Sequence, residues 1–271
     1  MTVDYNLSQI KQVSELDKKE KGKWIVMPRD FSNLGYDLAI SPGRLAYSPA
    51  VEKAGKTLDL NLKNTAKDSL NRYFVGRIKW NQAMKLNLLM GNRSLMPIEA
   101  VNFWYLLNEG AKENIAVHTN DGKKLKIEDL KKIRNDVIKS KSPARGEWLD
   151  ANFEKNENGF YLNSNHILQN NELVPKYSKE VMKNTLRKGK GISIESLFET
   201  KNTQGFPTRK NNLFSRKKTK KGNINYFPPV EDHNDLVGRI YTGNDWSDIG
   251  FRWNPFVSIP DLGIRPVEQL K

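Results

Sequence analysis

The chain has 271 residues, no cysteine and a net charge of +14, from 45 Lys and Arg against 31 Asp and Glu. That length can bury a substantial core, and the missing thiols exclude a disulfide framework, a thiolate zinc site and a cysteine nucleophile. The positive excess leaves two readings open: attraction to nucleic acid or another anionic surface, or the solubility of a lysine-rich chain.

The N-terminus, MTVDYNLSQIKQ, lacks the apolar core of a secretory signal. No apolar run nears the roughly 20 residues of a membrane helix. We therefore expect an intracellular or particle-associated protein with no membrane insertion. Residues 1–22 hold few apolar side chains and the run Lys18, Lys19, Glu20, Lys21, and read as a mobile extension before a single domain over 23–271.

From Lys23, KWIVMPR reads as a first strand ended by Pro28, and the Pro- and Gly-punctuated GYDLAISPGRLAYSP as short strands or loops. Tyr73, Phe74, Val75 and Ile78 predict a strand. Trp80, Ala83, Met84 and Leu88 then recur at helical spacing up to a stop at Gly91. A second helix begins at Pro97, with Glu99 in its first turn and a stripe of Val101, Trp104 and Tyr105 running to Gly110. Leu130, Ile133 and Val137 predict a shorter amphipathic helix. Trp148, Leu149 and Phe153 precede a turn at Gly159 and a strand over Phe160 to Leu162. Val181, Met182 and Leu186 suggest another amphipathic piece ending in RKGKG, and SLFETKNTQGFPTRKNN reads as a loop turning at Gly205 and Pro207. Helices and strands intermix without βαβ alternation, which supports the α+β class.

Motifs of catalysis are not found. The chain lacks a phosphate-binding GxxxxGK[ST] loop and a GxSxG nucleophile elbow. His118, His166 and His233 lie far apart. The cluster Glu231, Asp232, His233, Asn234, Asp235 reads as a polar turn, although its oxygens and imidazole are also those a hard cation takes. We expect no enzyme, no metal and no cofactor. The run Arg216, Lys217, Lys218, Lys220, Lys221 reads as a solvated loop; the alternative reading of the chain, a basic nucleic-acid-binding or virion- or particle-associated structural protein, would place Lys217, Lys218, Lys220 and Lys221 on phosphates.

The C-terminal stretch LVGRIYTGNDWSDIGFRWNPFVSIPDLGIRPV is different in kind. Ile249, Phe251 and Trp253 alternate with Asp248, Gly250, Arg252 and Asn254, the period of a strand that buries one face and offers the other. An acid, a glycine, a base and an amide have no structural chemistry in common. This makes the outer row a candidate binding face, with a plain edge strand as the alternative.

Two separated stretches carry a resemblance. RIKWNQAMKLNLLMGNRSLMPIEAVNFWYLL resembles the helical part of formylglycine-generating enzyme and related C-type lectin-like domains, with Trp80, the turn Leu95, Met96, Pro97, Ile98, Glu99, and Trp104 at the matching places. Met96 and Ile98 depart from that pattern and remove a capping hydroxyl. Leu262, Gly263, Ile264 and Arg265 resemble the closing strand of those domains. The enzyme's cysteines are absent, as are the calcium motifs of sugar-binding lectins.

The tail as a whole is similar to the variable region of proteins diversified by diversity-generating retroelements, especially archaeal and viral ones. Its elements are Val237 to Ile240, Asp245-Trp246-Ser247, Asn254-Pro255 and Leu262 to Arg265, with ARGEWLDANF and NTQGFPTRK belonging to the same group. The resemblance implies a C-type lectin-like fold with two helices, short antiparallel strands and insertions. It implies a non-enzymatic protein that displays a hypervariable ligand surface over 237–267 to a protein or a cell or particle surface. On this reading the ligand face comprises Tyr241, Gly243, Asn244, Asp245, Asp248, Gly250, Arg252 and Asn254, with Trp246, Phe256 and Val257 as apolar anchors. Ile240, Ile249, Phe251, Leu262 and Ile264 would be scaffold. Period-2 alternation supplies the separation such a surface needs.

Overall fold

A computed structural model describes residues 22–68, 71–138, 144–181, 185, 188–208, 223–230, 235–242 and 247–270. The expected N-terminal extension lies outside the described residues up to position 21, as do Met182, Leu186 and the basic run at 216–221. The described chain is a mixed α+β structure with three sheets.

The first sheet joins strands near the beginning and the end of the described residues. β1 (Ile25–Met27) pairs with β2 (Leu38–Ile40), and β2 pairs on its other side with β13 (Val267–Gln269), both antiparallel. A small hairpin-like sheet follows from β3 (Lys63–Lys67) and β4 (Tyr73–Gly76). The large sheet contains β5 (Arg145–Asn156), β6 (Gly159–Gln169), β7 (Glu172–Glu180), β8 (Gly189–Ile192), β9 (Ile224–Phe227), β10 (Leu236–Thr242) and β11 (Ser247–Trp253), in the order β7-β6-β5-β10-β11-β9-β8. Beside β5 lies β12 (Leu262–Ile264). Two pairings are parallel, β11 with β9 and β12 with β5.

The helices are α1 (Arg29–Ser32), α2 (Pro49–Thr57), α3 (Trp80–Leu89), α4 (Pro97–Ala111), α5 (Ile127–Val137) and α6 (Ile194–Thr200). Most of each expected stripe is buried: Trp80, Ala83 and Met84 on α3, Val101 and Trp104 on α4, and Leu130, Ile133 and Val137 on α5, while Leu88 and Tyr105 are half-buried. α4 begins without a capping hydroxyl, as its sequence foretells. The Glu99 carboxylate takes over by accepting from the Met96 backbone N–H at 2.9 Å, and is itself held by Arg93 Nη1 at 2.6 Å and the Tyr36 hydroxyl at 2.8 Å.

The sequence reading missed α1, α2, β3 and β9, took β8 for the end of an amphipathic piece, and missed α6 and β7 as well. SLFET opens the segment read as a loop, yet it is helical: Ser193 caps α6 by accepting from Ser196 N at 3.1 Å, and Leu197 is buried. The strand β7 has the polar, lysine-rich sequence ELVPKYSKE and is largely exposed, because it is the sheet's outer edge.

Two apolar clusters flank the large sheet. One packs α4, α5 and α6 against Leu149, Phe153, Ile240, Ile249 and Phe251. The other gathers Trp80, Met84, Trp148, Val237, Leu262 and Ile264. Two tryptophans tie α3 to β5: Trp80 Nε1 donates to Leu149 O at 2.8 Å, and Trp148 Nε1 to Ile78 O at 2.9 Å. Both rings are buried, so each indole N–H meets the partner its burial requires.

Candidate functional site

The candidate site is the far face of the β9-β10-β11 strands, opposite the α4–α6 core. Cross-strand pairs set it: Ile240 faces Ile249, Tyr241 faces Asp248, and Arg239 faces Gly250. The parallel partner β9 brings Asn225 beside Asp248 and Phe227 beside Gly250. The expected scaffold side chains Ile240, Ile249, Phe251, Leu262 and Ile264 are all buried. Phe251 lies 5.0 Å from Phe206 and 5.2 Å from Phe153, ring centre to ring centre.

The proposed outer row divides once it is placed. Arg252 and Asn254 are exposed, Phe256 is 67% exposed, and Tyr241 is half-buried. Asp248 and Gly250 sit on the expected face but are buried, which corrects the expectation that they are offered to solvent. Asp248 lies between its strand neighbours Tyr241 and Asn225, and Gly250 is covered by Trp253. Its indole folds back across the face, with the Arg239 guanidinium 3.1 Å from its ring centre, and a Cβ on Gly250 would stand 2.7 Å from Trp253 Nε1. Only glycine leaves room for that ring. Val257 is half-buried against the second apolar cluster, so it anchors its loop. Asn254 Oδ1 accepts from Phe256 N at 2.8 Å and shapes the turn that presents Phe256. Gly243, Asn244, Asp245 and Trp246 lie outside the described residues.

Beneath the outer row lies a compact group of charges and rings. Arg239 is 4% exposed, 4.5 Å from the Tyr241 ring centre as well as against Trp253. The Tyr241 hydroxyl donates to Asp261 Oδ2 at 3.1 Å. Arg239 Nε, Trp253 Nε1 and Asp248 Oδ1 are buried without a hydrogen-bond partner among the described residues. Burial pushes the Asp248 carboxyl up to about 7, against the opposing pull of Arg239 and Arg252. The same burial lowers Arg239 to about 10. Desolvation outweighs mutual attraction on both sides.

Sequence reasoning missed three contributors. Arg239 sits inside a run read as scaffold, and its guanidinium is sandwiched on the site face. Phe227 enters through the parallel β9 pairing, which no local pattern announces. Lys188 lies 4.8 Å from the Phe227 ring centre, and Arg252 reaches the same ring at 4.2 Å.

A rigid floor supports the face. Arg265 donates through Nε to Glu147 Oε2 at 2.9 Å and through Nη1 to Ser41 O at 2.7 Å. Arg44 donates to Asp136 Oδ2 at 2.7 Å and to the Gly146 carbonyl at 2.9 Å, with Arg145 also on Asp136. Burial pushes the Asp136 carboxyl up, and Arg44 and Arg145 overcome it, leaving it below the usual carboxylate range. His166 is paired with Asp150 in the interior, which explains one of the separated histidines structurally. Among the described residues no three or more His, Asp or Glu side chains gather as a metal would require. Residues 231–234 of the acidic turn lie outside them. No described helix is long and apolar enough to cross a membrane.

No family model matches the chain, and no curated protein or solved structure matches it.

Proposed function

We propose that this chain is a non-enzymatic ligand-binding protein built on a C-type lectin-like scaffold. Its C-terminal strand-and-loop face is a displayed surface of the kind diversified in variable proteins of diversity-generating retroelements. The observation that carries this reading is the division of labour along β11 and the turn after it. Phe251 is fully buried between Phe153 and Phe206, while Arg252 and Phe256 project into solvent and give the core nothing. The joining of β1 and β13 through β2 in one sheet and the succession of helices α3 and α4 support the scaffold assignment. The interchangeable positions are narrowed to the exposed ones, since Asp248 and Gly250 are covered.

The reading is tested by replacing Arg252 and Phe256 together with Ser and following thermal unfolding. The expected change is within about 1 kcal/mol, as for surface positions. A loss of several kcal/mol would remove the basis for an interchangeable face. In the encoding genome, a near-copy of the segment for residues 237–267 beside a reverse transcriptase, differing mainly at adenines, is the independent check.

A further inference from the structure

We propose that the partner of this face is an acidic polypeptide surface, whose carboxylates are received by Arg252 and Lys188 around the Phe227 ring and by Lys79 beside the exposed Phe256. The inference rests on the reading of the face as a ligand surface and names the chemistry of what it takes.

Apart from the exposed Asp235 that precedes β10, the charges of this face are one-sided. Between residues 236 and 261, the acids among the described residues are Asp248 and Asp261. Asp248 is 1% exposed, and Asp261 accepts the Tyr241 hydroxyl. The cations stand further out: Arg252 and Lys188 are exposed, and Lys79 lies half-buried 5.8 Å from the ring centre of Phe256. An incoming carboxylate therefore meets guanidinium and ammonium groups before it meets either acid. Arg252 keeps its flat donor fork while resting on Phe227, a geometry suited to a carboxylate's two oxygens.

The aromatic side chains decide between two anionic partners. Single-stranded nucleic acid is held by bases stacking on free ring faces. Here Phe227 carries both Arg252 and Lys188, Trp253 carries Arg239, and Phe256 has Lys79 alongside. What remains exposed is a cation set between apolar anchors, Phe256 foremost, which is the composition of a protein-binding hot spot.

The test measures binding of the full chain to three labelled probes: a peptide alternating Glu and Leu, the same peptide with Lys in place of Glu, and a single-stranded oligonucleotide of equal charge count. We expect the Glu peptide to bind and the Lys peptide not to. The pair Lys188→Ala and Arg252→Ala should weaken the Glu peptide by about tenfold or more, as loss of an anchor does, and leave the oligonucleotide nearly unaffected. Absence of Glu-peptide binding, or equal binding by the paired variant, overturns the proposal. Selective loss of the oligonucleotide overturns it in favour of nucleic acid. Lys188→Glu is the second variant, at an exposed position outside the named strands, and should weaken the Glu peptide alone if the paired variant is unstable. If the Ser-substituted face keeps its melting temperature and the Glu peptide still fails to bind, the partner chemistry is wrong. If that substitution unfolds the chain, the displayed-face reading is what fails.

Discussion

Phe251 and Arg252 are neighbours in the chain with opposite duties, and their substitution costs should differ accordingly. Phe251→Ala removes a ring in contact with three other aromatics and should cost about 3–5 kcal/mol in denaturant unfolding. Arg252→Ala should fall within about 0.5 kcal/mol. Asp248 offers a pH signature. Its carboxyl is raised from 3.8 to about 7 in the fold, so the folded chain holds a proton that the unfolded chain has released between those values. Its contribution is therefore fully present below about pH 4 and is lost as pH rises through about 7. Asp248→Asn should abolish the decline between pH 5 and 8 and stabilise the chain at pH 8, by on the order of 2–4 kcal/mol. A parent and variant with parallel melting curves across that range would refute the assignment. These residues also show what the sequence made legible. Alternation sorted Ile249 and Phe251 from Arg252 because period 2 is a local property. It misjudged Gly250 because the Trp253 ring lies over it, and Asp248 because its neighbours Tyr241 and Asn225 come from other strands; alternation carries no information about the depth of either face.

At the level of elements, α3, α4 and α5 were readable because each buries a stripe at helical spacing and starts or stops on a recognisable residue. α6 is only Ile194–Thr200, too short for periodicity to stand out, and β7 is a polar edge whose partner β6 supplies the pairing. The loop after α6 shows how closely such pieces can fit. Gly205 has φ +92°, and a Cβ there would stand 2.5 Å from Ile98 N at the start of α4. Gly205→Ala therefore carries both backbone strain and a backbone clash, and should cost about 2 kcal/mol or more in unfolding measurements. An effect below about 0.5 kcal/mol would mean that the loop does not dock on α4. The turn signal at Gly205 was visible in the sequence, but its docking partner, more than 100 positions upstream, was not.

Across the whole molecule, the buried Glu147–Arg265 pair fastens β5 to the segment after β12, and Arg265 reaches on to the Ser41 carbonyl. Arg265→Met leaves Glu147 with Arg44 as its remaining cation and should cost about 3–5 kcal/mol. A double-mutant cycle with Glu147→Gln should show coupling of about 0.5–3 kcal/mol; additive costs would show that the two residues act separately. The motif residues Gly146, Glu147 and Trp148 and the closing Leu262 to Arg265 were recognisable as separate words in the sequence. Their parallel pairing, which makes them one structural unit, follows from topology alone.

The sheet β1-β2-β13 has a consequence for how the protein is made. β2 is its central strand, and one of its two partners, β13, is drawn from Val267–Gln269. On the ribosome, that side of β2 has to wait until some 230 further residues have been synthesised before its own partner arrives. Contacts of such sequence separation form late and slowly. The proposed binding face, carried on β10 and β11, is synthesised just before this closure, so an altered surface residue meets a fold whose remaining elements are already in line behind it. Substitutions at Arg252 or Phe256 should then leave the refolding rate unchanged, whereas a nascent chain ending before Val267 stays vulnerable to proteolysis along β2.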